Sequence, residues 1–293
     1  MFQKLHLSPK KVNKSCIIFA CTILSEDRLH VLSEFVQEFQ LNFSDSDLYI
    51  GINSGSIPVL EDHLLNSGLN IKAISRVSDE LYTQSDASAY QLALKLLNQS
   101  KEDYEYCWFI HTKGGVISHS DYLRKWYIDN FLGQRYSVEN FMTSLPGIGS
   151  CAMLGVEYDN NKVYSEQDEL LPIFSKEITK DFPFPFIEYF YIHTLYVIKG
   201  NIVKNFLSLL PQEWFNIKLN RYYFEGVFPF IVSRTGYYPF LFNTRSMNGV
   251  DLKTVQNNWI LKNNLISYDK ILNVPTQNYH FHQLTPPYVS SNT

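Results

Sequence analysis

The first 115 residues alternate short apolar runs with amphipathic stretches, and this pattern restricts the fold more than any other feature of the chain. SCIIFACTIL (15–24) is continuously apolar and rich in β-formers, as a strand buried on both faces must be. SEDRLHVLSEFVQEFQ (25–40) places Leu29, Leu32, Phe35, Val36 and Phe39 on one helical stripe, with Ser25, Glu26 and Asp27 suited to a helix start. DLYIGINSG (47–55) is a second strand, and IPVLEDHLLNSG (57–68) is a short helix closed by Gly68. NIKAISRVS (70–78) is a third strand and SDASAYQLALKLLNQS (85–100) a helix. EYCWFIHTKGG (105–115) is a fourth strand and its loop. An order β-α-β-α-β-α-β implies a doubly wound parallel sheet with right-handed crossovers.

Beyond residue 115 the pattern loosens. HSDYLRKWYIDNFLG (119–133) reads as a helix with Gly133 at its C-cap, and SVENFMTSL (137–145) as a helix capped by Ser137. SCAMLGVEY (150–158) returns to a strand. Residues 159–186 are polar and then proline-punctuated, which suits a surface lobe. FIEYFYIHTLYVIKG (186–200) is strand-like, a helix follows near 201–210, and the segment around 216–235 is read as a helix. The Asn- and Thr-rich tail contains YHFHQ (279–283). Neither repeats nor a clean linker divide the chain, so one elaborated domain is expected.

The 293 residues are 45% hydrophobic and 18% charged, enough apolar content for a packed core. A net charge of −4 argues against a nucleic-acid partner, which calls for a basic face. Cys16, Cys21, Cys107 and Cys151 lie in apolar runs with no CxxC pair, the usage expected of reduced, buried thiols in a cytoplasmic protein. The N-terminal stretch lacks a signal-length apolar core, and no run reaches the roughly 20 residues of a membrane span. Residues 1–14 are expected as a solvated leader, although Lys10, Lys11 and Lys14 would also suit an anionic membrane surface.

Common nucleotide motifs are absent. No GxGxxG follows the first strand, and there is no GxxxxGK[ST], G-x-S-x-G or HExxH. The chemistry must then come from the strand ends, because open parallel sheets bind ligands beyond the carboxyl ends of their strands. Those ends are Thr22 to Ser25, Asn53 to Gly55, Arg76 to Asp79, and His111 to Gly115, and the candidate ligand groups among them are Thr22, Asn53, His111, Lys113 and Gly114. A lysine and an imidazole beside two glycines suit an anion: the glycines let backbone amides approach, and Lys113 offsets the charge. A plain turn with a solvated lysine is the competing reading. Asp86 is either a helix N-cap or a ligand group, and Arg124 either reaches phosphates or pairs with Asp121 or Asp129. Asp45-Ser46-Asp47 precedes the second strand, at the wrong end for a ligand, and reads as a turn.

The arrangement of FIHTKGG, LRKWYIDNFLG and GIGSCAMLG resembles glycosyltransferases of the GT-A type, and within them the rhamnan-synthesis F-like and related polysaccharide-biosynthesis group. The likeness spans roughly residues 15–240, with His-Thr-Lys where most GT-A enzymes have Asp-x-Asp. It implies a GT-A-like doubly wound, mostly parallel α/β sheet with an elaborated C-terminal acceptor lobe. Residues 15–158 would form the nucleotide-sugar half and 159–293 the acceptor half. The implied activity is transfer of a hexosyl or deoxyhexosyl group from a nucleotide-diphosphate sugar to a glycan or other hydroxyl, in surface polysaccharide synthesis. Thr22, Asn53, Asp86, His111, Lys113, Gly114 and Arg124 would bind the donor. Glu225 or Glu188 would serve as base, each set in an apolar context that raises a carboxylate pKa. A cofactor Mn²⁺ or Mg²⁺ would be held by His280 and His282; metal-independent activity, with Lys113 and His111 supplying the charge, is the equal alternative. Peripheral attachment to the inner membrane face or to a synthase complex is a further expectation. Two other classes stay open: a non-catalytic GT-A-like module that binds glycan or nucleotide, and another nucleotide-binding α/β transferase.

Overall fold

A computed structural model of the chain describes residues 15–78, 86–115, 121–153, 155–157, 189–191, 194–216, 219, 223–234 and 237–241. The first four strands fall where the sequence places them: β1 Ser15–Cys21, β2 Asp47–Ile52, β3 Ile71–Arg76 and β4 Tyr106–His111. Between them run α1 Leu29–Asn42, α2 Leu60–Leu65 and α3 Asp86–Ser100. Then come α4 Asp121–Asn130, α5 Arg135–Ser144, β5 Ile148–Ala152, β6 Gly155–Glu157, β7 Tyr189–Tyr191 and β8 Tyr196–Lys199. The described elements end with α6 Gly200–Leu209, α7 Tyr223–Arg234 and β9 Tyr238–Leu241.

Seven strands make one sheet in the order β3-β2-β1-β4-β8-β5-β9, while β6 and β7 pair as a separate antiparallel ribbon. β1, β2, β3 and β4 are parallel, as are β5 and β9; β8 runs antiparallel to both of its neighbours. This is a mostly parallel, doubly wound α/β sheet. The order reverses direction between β1 and β4, and such a switch opens a crevice at the strands' carboxyl ends.

Side-chain parity divides the core into two layers. On β1, Ile17, Phe19 and Cys21 enter the cluster under α1, α4 and α5, whereas Cys16, Ile18 and Ala20 enter the one under α3, α6 and α7. On β4, Trp108 and Ile110 take the first side and Cys107 and Phe109 the second. His111, two residues past Phe109, therefore falls on the α3 side. Its ring centroid lies 6.4 Å from that of Tyr90 on α3. Gly51 lets α3 come close over β2, since a Cβ there would lie 1.9 Å from the Ala89 carbonyl oxygen.

Four local expectations need correction. Ser25 precedes a 3-10 turn (Glu26–Arg28), and its side chain makes no capping bond. Gly133 is not a C-cap; it lies in a second 3-10 turn, Leu132–Gln134, that links α4 to α5. Because α5 starts at Arg135, Ser137 is inside its first turn and caps nothing. The strand expected over 150–158 is two strands that join different sheets. All four cysteines are buried and free. Among the described residues, no helix is long and apolar enough to cross a membrane. The leader (1–14), the whole segment expected as a lobe (159–186) and the tail from 243 lie outside the described residues.

Candidate functional site

The crevice between β1 and β4 is closed at its floor by two threonines. The Thr112 hydroxyl accepts from the Thr22 amide at 2.7 Å and donates to the Thr22 carbonyl at 2.9 Å. The Thr112 amide continues the ladder to the Ala20 carbonyl. Thr112, the middle residue of the His-Thr-Lys motif, thus staples the two strand ends that diverge here.

Asp86, the first residue of α3, bridges the same two strands from above. Its Oδ1 accepts from the Thr22 hydroxyl at 3.0 Å, and its Oδ2 lies 3.2 Å from His111 Nδ1. Asp86 is therefore more than a cap. Burial works against its ionisation, yet His111, Thr22 and Lys113 together hold its carboxyl below the ordinary carboxylate range. His111 is 6% exposed, and its Nε2 has no hydrogen-bond partner. A buried, unmatched ring nitrogen is costly, so it marks a place where a ligand atom would be favourable.

Asn53 ends β2 fully buried, and its side chain accepts from the Gly55 amide in a tight turn. Arg76 ends β3 and caps the carbonyls of Ser56 (2.8 Å) and Ile57 (3.1 Å). Past β4, Lys113 is half-buried and Gly114 adopts φ +88°, which glycine reaches without strain. Arg124 of α4 is 3% exposed and engages Glu34 (2.8 and 3.1 Å), Asp121 (2.6 Å) and the Lys113 carbonyl (3.3 Å). It pairs with Asp121, one of its two expected partners, rather than Asp129. Arg28 bonds both Asp121 and the Gly114 carbonyl.

Glu225 lies in the first turn of α7, beside Phe224, whose ring packs 5.3 Å from that of Tyr90. Burial pushes the Tyr90 phenol far up, and Tyr196, Asp86 and Glu225 push it in the same direction. Asp86 and Glu225 thus act on one tyrosine from the same layer. Thr22, Asp86, His111, Lys113, Gly114 and Arg124 form one connected group through the contacts above, and Asn53 joins its edge by donating its backbone N–H to the Cys21 carbonyl at 2.9 Å. Glu188, His280 and His282 lie outside the described residues.

Sequence reasoning missed Arg28, Arg76 and Thr112. Each sits at a strand end or in the turn just after one, the signal that could have found them. Arg28 had been absorbed into an amphipathic helix, and Arg76 was read only as a strand terminus.

No group of three His, Cys, Asp or Glu side chains among the described residues is placed to hold a metal ion. His111, Thr112 and Lys113 with the single carboxylate of Asp86 are a poor donor set for Mg²⁺ or Mn²⁺, which favour several oxygen ligands.

No family model matches the chain, and no curated protein matches it. Among solved structures, it is similar to core-mannan synthase A from Aspergillus fumigatus in a Mn/GDP form. Identity is 9%, covering 80% of this chain and 74% of that one, with a TM-score of 0.36. The fold class accordingly rests on the strand order and directions themselves.

Proposed function

We propose that the protein is a glycosyltransferase that moves a sugar from a nucleotide-diphosphate donor to a hydroxyl of a glycan or other acceptor. The observation that supports this best is the loop His111–Gly115, which carries a lysine and two buried glycines at the β1/β4 switch of a doubly wound sheet. Lys113 would offset the charge of the departing diphosphate. Thr22 and Asn53 would line the nucleotide. Glu225 or Glu188 would take the acceptor proton in an inverting transfer. Residues 159–293 would supply the acceptor half. The described residues at the strand ends do not fit a divalent metal; His280 and His282 would hold one if it takes part. A role in surface polysaccharide synthesis is likewise proposed from the motif resemblance.

A non-catalytic binding module is the second reading. It is favoured by Arg28 and Arg124, which would be natural phosphate donors but are paired with Asp121 and Glu34. One experiment separates the two: thermal-shift screening against UDP, GDP, CMP and TDP sugars with and without Mn²⁺, then turnover on a panel of glycan acceptors. The enzyme reading expects one donor class to stabilise the fold and to be consumed. Stabilisation without turnover on any acceptor supports the module, and no stabilisation by any nucleotide sinks both.

A further inference from the structure

The two peptide units that flank Gly114 are both fixed by their carbonyl oxygens. The Lys113 carbonyl accepts from Arg124 Nη1 at 3.3 Å. The Gly114 carbonyl accepts from Arg28 Nε at 3.0 Å and Nη2 at 2.5 Å. Asp121 bridges the two guanidinium groups, and Glu34 fixes Arg124 from its other side. These arginine side chains are 11% and 4% exposed, so the unit is largely sheltered from solvent.

A trans peptide points its N–H opposite its C=O. With Lys113 O turned toward Arg124, the Gly114 N–H faces the other way. Gly114 is buried, and its N–H has no acceptor among the described residues, whereas the neighbouring amides of Lys113 and Gly115 donate to His111 O and Thr112 O. A buried amide without an acceptor is uncommon and costly. Lys113, the preceding residue in the chain, adds a positive charge that favours an anion here. A side chain here would also crowd the pair that holds the loop: a Cβ on Gly114 would lie 2.4 Å from Arg124 Nη1 and 2.9 Å from Asp121 Oδ1.

We propose that Arg28 is a positioning residue for this site: by holding the Gly114 carbonyl, and by sharing Asp121 with Arg124, it keeps the Gly114 amide presented to the terminal phosphate of a nucleoside diphosphate. Arg28 touches no ligand itself. Its two donors on one carbonyl need the guanidinium fork, which an ammonium lacks. The inference rests on the donor-binding reading above and adds the residue that shapes the phosphate contact.

The test is the ratio of diphosphate to monophosphate affinity, measured by calorimetry with UDP and UMP and with GDP and GMP. The Gly114 amide contributes to the second phosphate only, so this ratio isolates it from general stability. Arg28→Ala is expected to weaken the bound diphosphate about tenfold and leave its monophosphate within about twofold. Millimolar methylguanidinium is expected to restore most of the ratio. Arg28→Lys, which keeps the charge beside Asp121 and folds more readily, is expected to lower the ratio as well. A ratio unchanged in both variants overturns the proposal, as does an equal loss for mono- and diphosphate. Wild-type protein that binds none of these nucleotides refutes the donor-binding reading itself, a different result from an unchanged ratio.

Discussion

Gly114 and Asp121 show how much of the site is decided by single side chains. Gly114 combines a left-handed φ with no space for a methyl group, so Gly114→Ala strains the backbone and pushes on an arginine held by four hydrogen bonds. A cost of about 1–3 kcal/mol is expected, read as a lower urea midpoint at unchanged slope. Asp121 illustrates the electrostatics. The Arg28 hydrogen bond, with Arg124 adding to it, holds its carboxyl at about 2. A depressed folded pKa stabilises the protein above the unfolded carboxylate value of about 4. That contribution is lost as pH falls from about 4 to about 2. Asp121 is 38% exposed, so solvent screens the pair and the gain is modest. Melting temperatures of wild type and Asp121→Asn should differ at pH 6 and converge toward pH 2; a constant gap across that range contradicts this assignment. The position of His111 and Lys113 at the end of β4 was legible in the sequence, because the apolar run of the strand stops there. Arg28 and Arg76 were not, because an arginine in a turn normally reads as solvated, and only the fold reveals the carbonyls it caps.

At the scale of elements, the amino ends of β1 and β4 are tied by a buried network remote from the crevice. Glu139 Oε1 on α5 accepts from Ser15 Oγ (2.7 Å), Trp108 Nε1 (2.9 Å) and Arg135 Nε (3.0 Å). Arg135 also donates to the Asn42 carbonyl at 2.8 Å and pairs with Asp45. Asp45 is thus spent on structure in the turn before β2, as its place in the sequence implies. Removing one member leaves a buried charge poorly compensated, so Glu139→Ala should cost about 3–5 kcal/mol in urea unfolding. A loss below about 1 kcal/mol would show that the network is not holding α5 to the sheet. Element types were readable wherever periodicity was strong, in the β-α alternation through β4 and in α6, whereas the segment that forms α7 mixed helix and strand signals. Boundaries failed where cues competed. Gly133 looked like a helix stop but serves a 3-10 link, and Ser137 looked like a cap because α5 begins two residues earlier, at a buried arginine.

For the whole molecule, one topological fact places the site: the sheet reverses order between β1 and β4, so the ends of those strands part where Thr22, His111, Lys113 and Gly114 gather. Chain alternation foretold the first four strands of that arrangement. It could not foretell that β8 would insert antiparallel between β4 and β5, since pairing partners far apart in sequence leave no local signal. Nor could the sequence show that Asp86 joins Thr22 to His111, a contact between residues 64 positions or fewer apart that requires α3 to pack over β1 and β2. The central claim is that this crevice binds a nucleoside diphosphate through the β4 loop. Calorimetric titration of wild type and Lys113→Ala with UDP, GDP, CDP and TDP tests it most directly. The account predicts that one diphosphate binds the wild type and that Lys113→Ala weakens it at least tenfold with its melting temperature preserved. Equal affinity in the two proteins would contradict it.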